Sequence, residues 1–243
     1  MLEIVAHNMS YRNDNGAFYE NARVYAPCED TDTKAKEAQQ LLIGIYGDGK
    51  DFYTIKGICE AIALKTVENY VSASSAKRGY EIKRESDTYL HPGRSAALYK
   101  DGKRLMIFGE VHPDASEAFG IDRKAYIALI DTDALFAMRR GEPAFKSLPK
   151  FPAVSRDLAF VCASDVEIGA IEAVISEVAG AKLETVRLFD VYTGKQLGEG
   201  KKSLAFSLVL RDYNKTMTDE DADKITSKII KACGEKLGAE LRS

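Results

Sequence analysis

Few side chains in this 243-residue chain suggest chemistry by type and spacing. The three histidines are His7, His91 and His112, and the last two head the stretches His91-Pro-Gly-Arg-Ser and His112-Pro. Between them lies Asp101-Gly102, a dipeptide favoured in two-residue hairpin turns because both positions need positive φ. A constant register on either side of that turn predicts His91 roughly opposite His112 at the open end of the hairpin. Such a pair suits metal binding or proton transfer, but no third ligand at fixed spacing accompanies it. Both histidines are read as turn residues at strand ends, and no catalytic, cofactor-binding or metal-binding residue is assigned. Cys28, Cys59, Cys162 and Cys233 lie far apart with no C-x-x-C pair, which argues against a zinc knuckle or a disulfide framework. They read as reduced, mostly buried thiols.

The loop Thr193 to Lys202 combines Gly194, Gly198 and Gly200 with Lys195, Lys201 and Lys202, a composition that superficially suggests a phosphate cradle. A phosphate loop feeds a helix N-terminus, whereas this loop joins two predicted strands. Its lysines are expected either to be solvated or to lie against a nucleic-acid backbone, which they bind without demanding sequence. Arg156, Arg211 and Lys215 add charge near strand ends, and Asp157 and Asp212 adjoin two of them as ready partners. The net charge of -3 excludes a protein that coats nucleic acid by bulk electrostatics, so any such contact is local.

The elements that hold these residues divide at Gly141 to Pro152, where Pro143, Pro149 and Pro152 remove backbone donors. Domains over about 1–147 and 150–243 follow. In the second, Val154 to Val161 reads as a strand, with Asp165 capping a helix that buries Ile168, Ile171, Ile175 and Val178. Gly180 closes it. Strands Val186 to Tyr192 and Ser203 to Leu210 come next. In the latter Leu204, Phe206, Leu208 and Leu210 alternate with small residues, so they turn inward and the open sheet face is expected to lack aromatics. Thr218 caps a helix with Asp219, Glu220 and Asp221 in its first turn and a stripe of Ala222, Ile225, Ile229 and Ala232. Ala239 to Arg242 forms an edge strand. The order is βαββαβ, a ferredoxin-like topology.

The first domain mixes strands at Ala22 to Tyr25 and Leu41 to Tyr46 with a helix at Tyr53 to Leu64 burying Ile55, Ile58 and Ile62. Ala96 to Lys100 and Arg104 to Val111 flank the Asp101-Gly102 turn. The fold class is α+β. No apolar run approaches the ~20 residues of a membrane span, and the amino terminus lacks a basic stretch followed by an apolar one, so the chain is read as cytosolic.

Several stretches carry a family resemblance. Phe151-Pro-Ala-Val-Ser-Arg-Asp-Leu-Ala-Phe, Leu188-Phe-Asp-Val-Tyr, Gly198-Glu-Gly-Lys-Lys-Ser-Leu-Ala-Phe-Ser-Leu and Lys236-Leu-Gly-Ala-Glu-Leu-Arg resemble the ferredoxin-fold anticodon-binding domain of bacterial phenylalanine–tRNA ligase β subunits. Asp51-Phe-Tyr-Thr-Ile-Lys-Gly, Tyr89-Leu-His-Pro-Gly-Arg-Ser-Ala and Phe108-Gly-Glu-Val-His-Pro resemble that family's module, a degenerate class II synthetase core. Ala17 to Tyr25 resembles a motif-two strand without its usual ATP-binding pattern. The resemblance implies a subunit of a heterotetramer of two α and two β chains that joins phenylalanine to its tRNA using ATP and magnesium. Catalysis then belongs to the α subunit, and this chain, alone inactive and without a cofactor of its own, docks α and grips the anticodon arm. Because the family's β subunit is far longer, the chain is expected to be a fragment, and no editing or magnesium-ligand residue is carried over. Arg156, Lys195, Lys201, Lys202, Arg211 and Lys215 are the candidate tRNA contacts. An amino-acid-sensing regulatory domain of the same topology and a purely structural interaction module stand as the alternatives.

Overall fold

The computed structural model describes residues 1–29, 32–67, 79–139 and 148–242, which fall into two compact units treated separately below. Gly141 and Pro143, on which part of the expected boundary rests, lie outside the described residues.

In the first unit the order is α1 (Leu2–Ser10), β1 (Gly16–Pro27), β2 (Ala35–Tyr46), α2 (Phe52–Thr66), β3 (Glu81–Arg84), β4 (Leu90–Lys100), β5 (Lys103–Val111), α3 (Pro113–Phe119), β6 (Ala125–Asp131) and α4 (Thr132–Ala137). The strands form one antiparallel sheet ordered β1-β2-β6-β5-β4-β3. Helix α2 starts where it does because Asp51 and Thr54 make a capping box. Asp51 Oδ1 accepts the Thr54 N–H at 2.7 Å, and the Asp51 N–H donates to Thr54 Oγ1 at 3.3 Å. Its buried stripe is Ile55, Cys59 and Ala63, with the expected Ile58 and Ile62 packed at the margin. With α4 it covers one sheet face around Ile45, Phe108 and Ile130. Helices α1 and α3 cover part of the other face, over Tyr46, Val111 and Ile121. Beside them a patch around Leu90, Ala97 and Ile107 forms a separate small cluster, tied to the α1 side through Ile127.

The second unit runs β7 (Val154–Ala163), α5 (Ile168–Ala179), β8 (Leu183–Tyr192), β9 (Lys201–Leu210), α6 (Asp219–Leu237) and β10 (Glu240–Leu241). Its antiparallel sheet is ordered β10-β7-β9-β8, the βαββαβ arrangement that alternation and capping predict. Leu204, Phe206, Leu208 and Leu210 are all fully buried under α5 and α6. Thr218 caps α6 by accepting the Asp221 N–H at 3.2 Å. Asp165 does not cap α5. Strand β7 runs on to Ala163, whose carbonyl accepts the Val166 N–H in a turn, and the helix begins after Glu167 with no side-chain cap.

Candidate nucleic-acid interface

The six expected cations do not form one basic patch. Arg156 and Lys215 converge on the first turns of α6. Arg156 Nη2 lies 2.6 Å from Asp219 Oδ1 and its Nε 3.0 Å from Asp223 Oδ1, while Lys215 Nζ meets Asp221 Oδ2 at 2.9 Å. Those hydrogen bonds raise the pKa of the Arg156 guanidinium and the Lys215 ammonium and hold Asp221 below the usual carboxylate range. Arg211 is mostly buried: Nε pairs with Glu184 at 2.5 Å, and Nη1 donates to the Phe151 carbonyl. The partners are therefore not Asp157 and Asp212, the sequence neighbours. Asp212 instead faces Lys182 at 3.6 Å.

Two cations stand differently. Among the described residues neither Lys202, whose Nζ donates to the Ser164 carbonyl at 2.9 Å, nor exposed Lys201 makes an ion pair. Both open β9 opposite Cys162 and Ala163 of β7. The side chain of Lys195 lies outside the described residues, although its backbone opens a short 3-10 turn, Lys195–Leu197.

On the sheet face opposite the helices, Asp157, Thr185, Arg187, Phe189, Ser207 and Val209 line a shallow groove of about 460 Å³. Phe189 is 52% exposed, which corrects the expectation of a face without aromatics. The register of β8 against β9 shifts between Leu188 and Asp190. Thr185, Arg187 and Phe189 reach this face by plain alternation, and a bulge at Phe189 turns the residues after it over to the same face. Past it, Tyr192 pairs with Ser203, and Arg242 sits 5.4 Å from the Tyr192 ring centroid. Arg187 is exposed and makes no ion pair among the described residues. Sequence reasoning missed Arg187, Phe189 and Tyr192, although alternation with the inward Val186 and Leu188 aims the first two outward; only Tyr192 depends on the bulge, which nothing in the alternation marks.

The histidines do not meet as a chemical pair. Register shifts in β4–β5 place Leu90 opposite Val111, and the His112 N–H reaches the Tyr89 carbonyl at 2.8 Å, two residues away from His91. His91 Nδ1 accepts the Gly93 N–H at 3.0 Å, and His112 Nδ1 accepts the Asp114 N–H at 3.2 Å as the N-cap of α3. Each imidazole is spent on its own turn. Arg94, from the same stretch as His91, pairs with the buried Glu110 at 2.8 Å.

A four-stranded antiparallel sheet with two helices on one face and the other face open defines a ferredoxin fold, and residues 149–242 match the family described as the ferredoxin-fold anticodon binding domain. Residues 1–132 match the phenylalanyl tRNA synthetase beta chain CLM domain, and by that match the chain belongs to the phenylalanyl-tRNA synthetase β-chain family. The phenylalanine–tRNA ligase β subunit of Clostridium tetani is 40% identical over the whole chain, that of Clostridium acetobutylicum 39%, and one from Bacillus cereus 32%. The chain spans about 30% of the length of each of these relatives.

Proposed function

We propose that this chain is a non-catalytic part of a phenylalanine–tRNA ligase β subunit, in which the second unit binds the anticodon arm of phenylalanine tRNA and the first docks the catalytic α subunit. ATP and magnesium then serve the whole enzyme, an assembly of two α and two β chains in the cytoplasm. The observation that carries the reading is the open face of the second sheet, in a domain matching an anticodon-binding family and bearing Phe189, Tyr192, Arg187 and Lys201, with Lys202 beside it at the start of β9. Unstacked anticodon bases have π faces for exposed aromatics, and unpaired cations beside them suit the connecting phosphates. Docking of α is supported by β1, which ends its sheet and exposes Tyr19 at 79% and Tyr25 at 63%.

Binding of phenylalanine tRNA, and of the same tRNA with its anticodon replaced, tests the first half by filter retention. The native anticodon is expected to bind more tightly, and Phe189→Ala to weaken it by about 1–3 kcal/mol, the usual worth of a base–aromatic stack. Equal binding of both tRNAs would sink the anticodon assignment.

A further inference from the structure

We propose that Gly194 and Arg242 are positioning residues for the RNA face of the second unit: together they hold the Tyr192 ring in the pose in which it meets an unpaired base. This role rests on the reading of that unit as an anticodon-arm binder.

The loop after β8 holds three glycines, and the backbone accounts for two of them. Gly198 and Gly200 take positive φ, at 83° and 73°, and a Cβ on either would meet nothing within 4 Å. Gly194 is the reverse case. Its φ lies outside the left-handed region, so its backbone suits an ordinary residue, but a Cβ there would run into Oη and Cζ of Tyr192 and stand 2.7 Å from Cε1. The missing side chain makes room for the hydroxyl end of one ring. Gly194 is itself held, because its carbonyl accepts the Leu197 N–H at 3.0 Å.

The second contact comes from the far side of the sheet. Arg242 follows β10, where its N–H donates to the Ala159 carbonyl at 2.8 Å, and its guanidinium carbon stands 5.4 Å from the Tyr192 ring centroid. Strands β8 and β10 are opposite edges of the four-stranded sheet, so this contact bridges the open face across β9 and β7. Ser203 of β9, directly opposite Tyr192, is only 2% exposed although it belongs to that face. Phe189 differs: it has no ring or cation against it among the described residues. A ring fixed before binding gives up less freedom when a base stacks on it, and the guanidinium, a plane on which bases also stack, widens the surface offered.

The test is binding of the anticodon stem-loop of phenylalanine tRNA to the 243-residue chain, with a melting curve for each variant. Gly194→Ala and Arg242→Lys, the second of which keeps the charge and loses the planar guanidinium, should each weaken binding about two- to tenfold, the usual worth of ordering one side chain. Melting temperature and salt dependence should stay as they are. In a Tyr192→Ala chain, itself a weaker binder, adding either change should alter nothing further, a non-additivity expected of residues that act through the ring. Undiminished binding by either single variant, or the same loss with and without the ring, overturns the proposal. Undiminished binding by Tyr192→Ala overturns it too, and leaves the anticodon reading standing as long as the unaltered chain prefers the native anticodon to a replaced one. If the unaltered chain shows no such preference, the anticodon reading fails and the positioning role falls with it.

Discussion

Arg156 and Asp157 are adjacent in sequence and cannot pair, because successive strand residues point to opposite faces of the sheet. Arg156 shares the helix side with Leu158 and Phe160 and so reaches Asp219 and Asp223 of α6, whereas Asp157 lines the open groove. Arg211 and Asp212 lie just past the end of β9, where Asp212 Oδ1 accepts the Asn214 N–H at 2.9 Å and faces Lys182 while Arg211 reaches Glu184. Proximity along an extended chain is thus poor grounds for assigning an ion pair, and three of the expected RNA contacts are committed within the fold. The Lys215–Asp221 pair makes the cost of acid testable. The Lys215 hydrogen bond depresses the Asp221 pKa below the ordinary 3.8, so the pair stabilises the fold above that value and is lost as pH falls through the depressed one. Denaturant midpoints of the native chain and Asp221→Asn should differ at pH 7 and converge near pH 2; a gap that stays constant with pH would place the effect elsewhere. The thiols give a second reading. Burial pushes Cys59 up to about 12 and Cys233 to about 11, and raises Cys162 as well, leaving half-buried Cys28 as the accessible one. At pH 8 a disulfide reagent should titrate one thiol in the folded chain and four after denaturation.

At the scale of elements, the local signals held where one residue type satisfies one backbone demand. Asp101 and Gly102 both take positive φ, at 49° and 77°, which is the turn their identities predicted. Gly102→Ala should therefore cost about 1 kcal/mol, read as a lower denaturant midpoint with unchanged slope. Asp51→Ala should cost a similar ~1 kcal/mol by removing the α2 cap. The alternation of β9 and the Thr218 cap of α6 were legible for the same reason. What alternation does not encode is its own interruption. Bulges in β4–β5 moved His112 away from His91, and the shift in β8 set Asp190 and Tyr192 opposite Ala205 and Ser203 on the open face, where alternation alone would have turned them inward. At the first of these Gly109 is required, because a Cβ there would come within 2.6 Å of the Arg94 carbonyl and of Ser95 Cβ. Helix α5 started two residues late because the turn after β7 consumed Asp165, a tertiary choice that capping preference alone does not resolve.

For the molecule as a whole, a net charge of -3 leaves no general attraction for a polyanion, so binding must come from cations that the fold leaves uncompensated. By that criterion Lys201, Lys202 and Arg187 qualify, while Arg156, Arg211 and Lys215 do not. The two groups make opposite predictions. Lys201→Ala and Lys202→Ala should each weaken tRNA binding, flatten the dependence of log affinity on log salt by about one unit, and leave thermal stability unchanged. Arg211→Ala should instead lower stability, because it strands Glu184 and the Phe151 carbonyl, and leave the salt dependence of the folded fraction as it was. Affinity measured between 50 and 200 mM salt, beside a melting curve for each variant, separates the two. Should Arg211→Ala flatten the salt slope while the lysine variants do not, the RNA path would run past the chain entering β7 rather than over the β9 lysines and the open face, and the interface would have to be redrawn there.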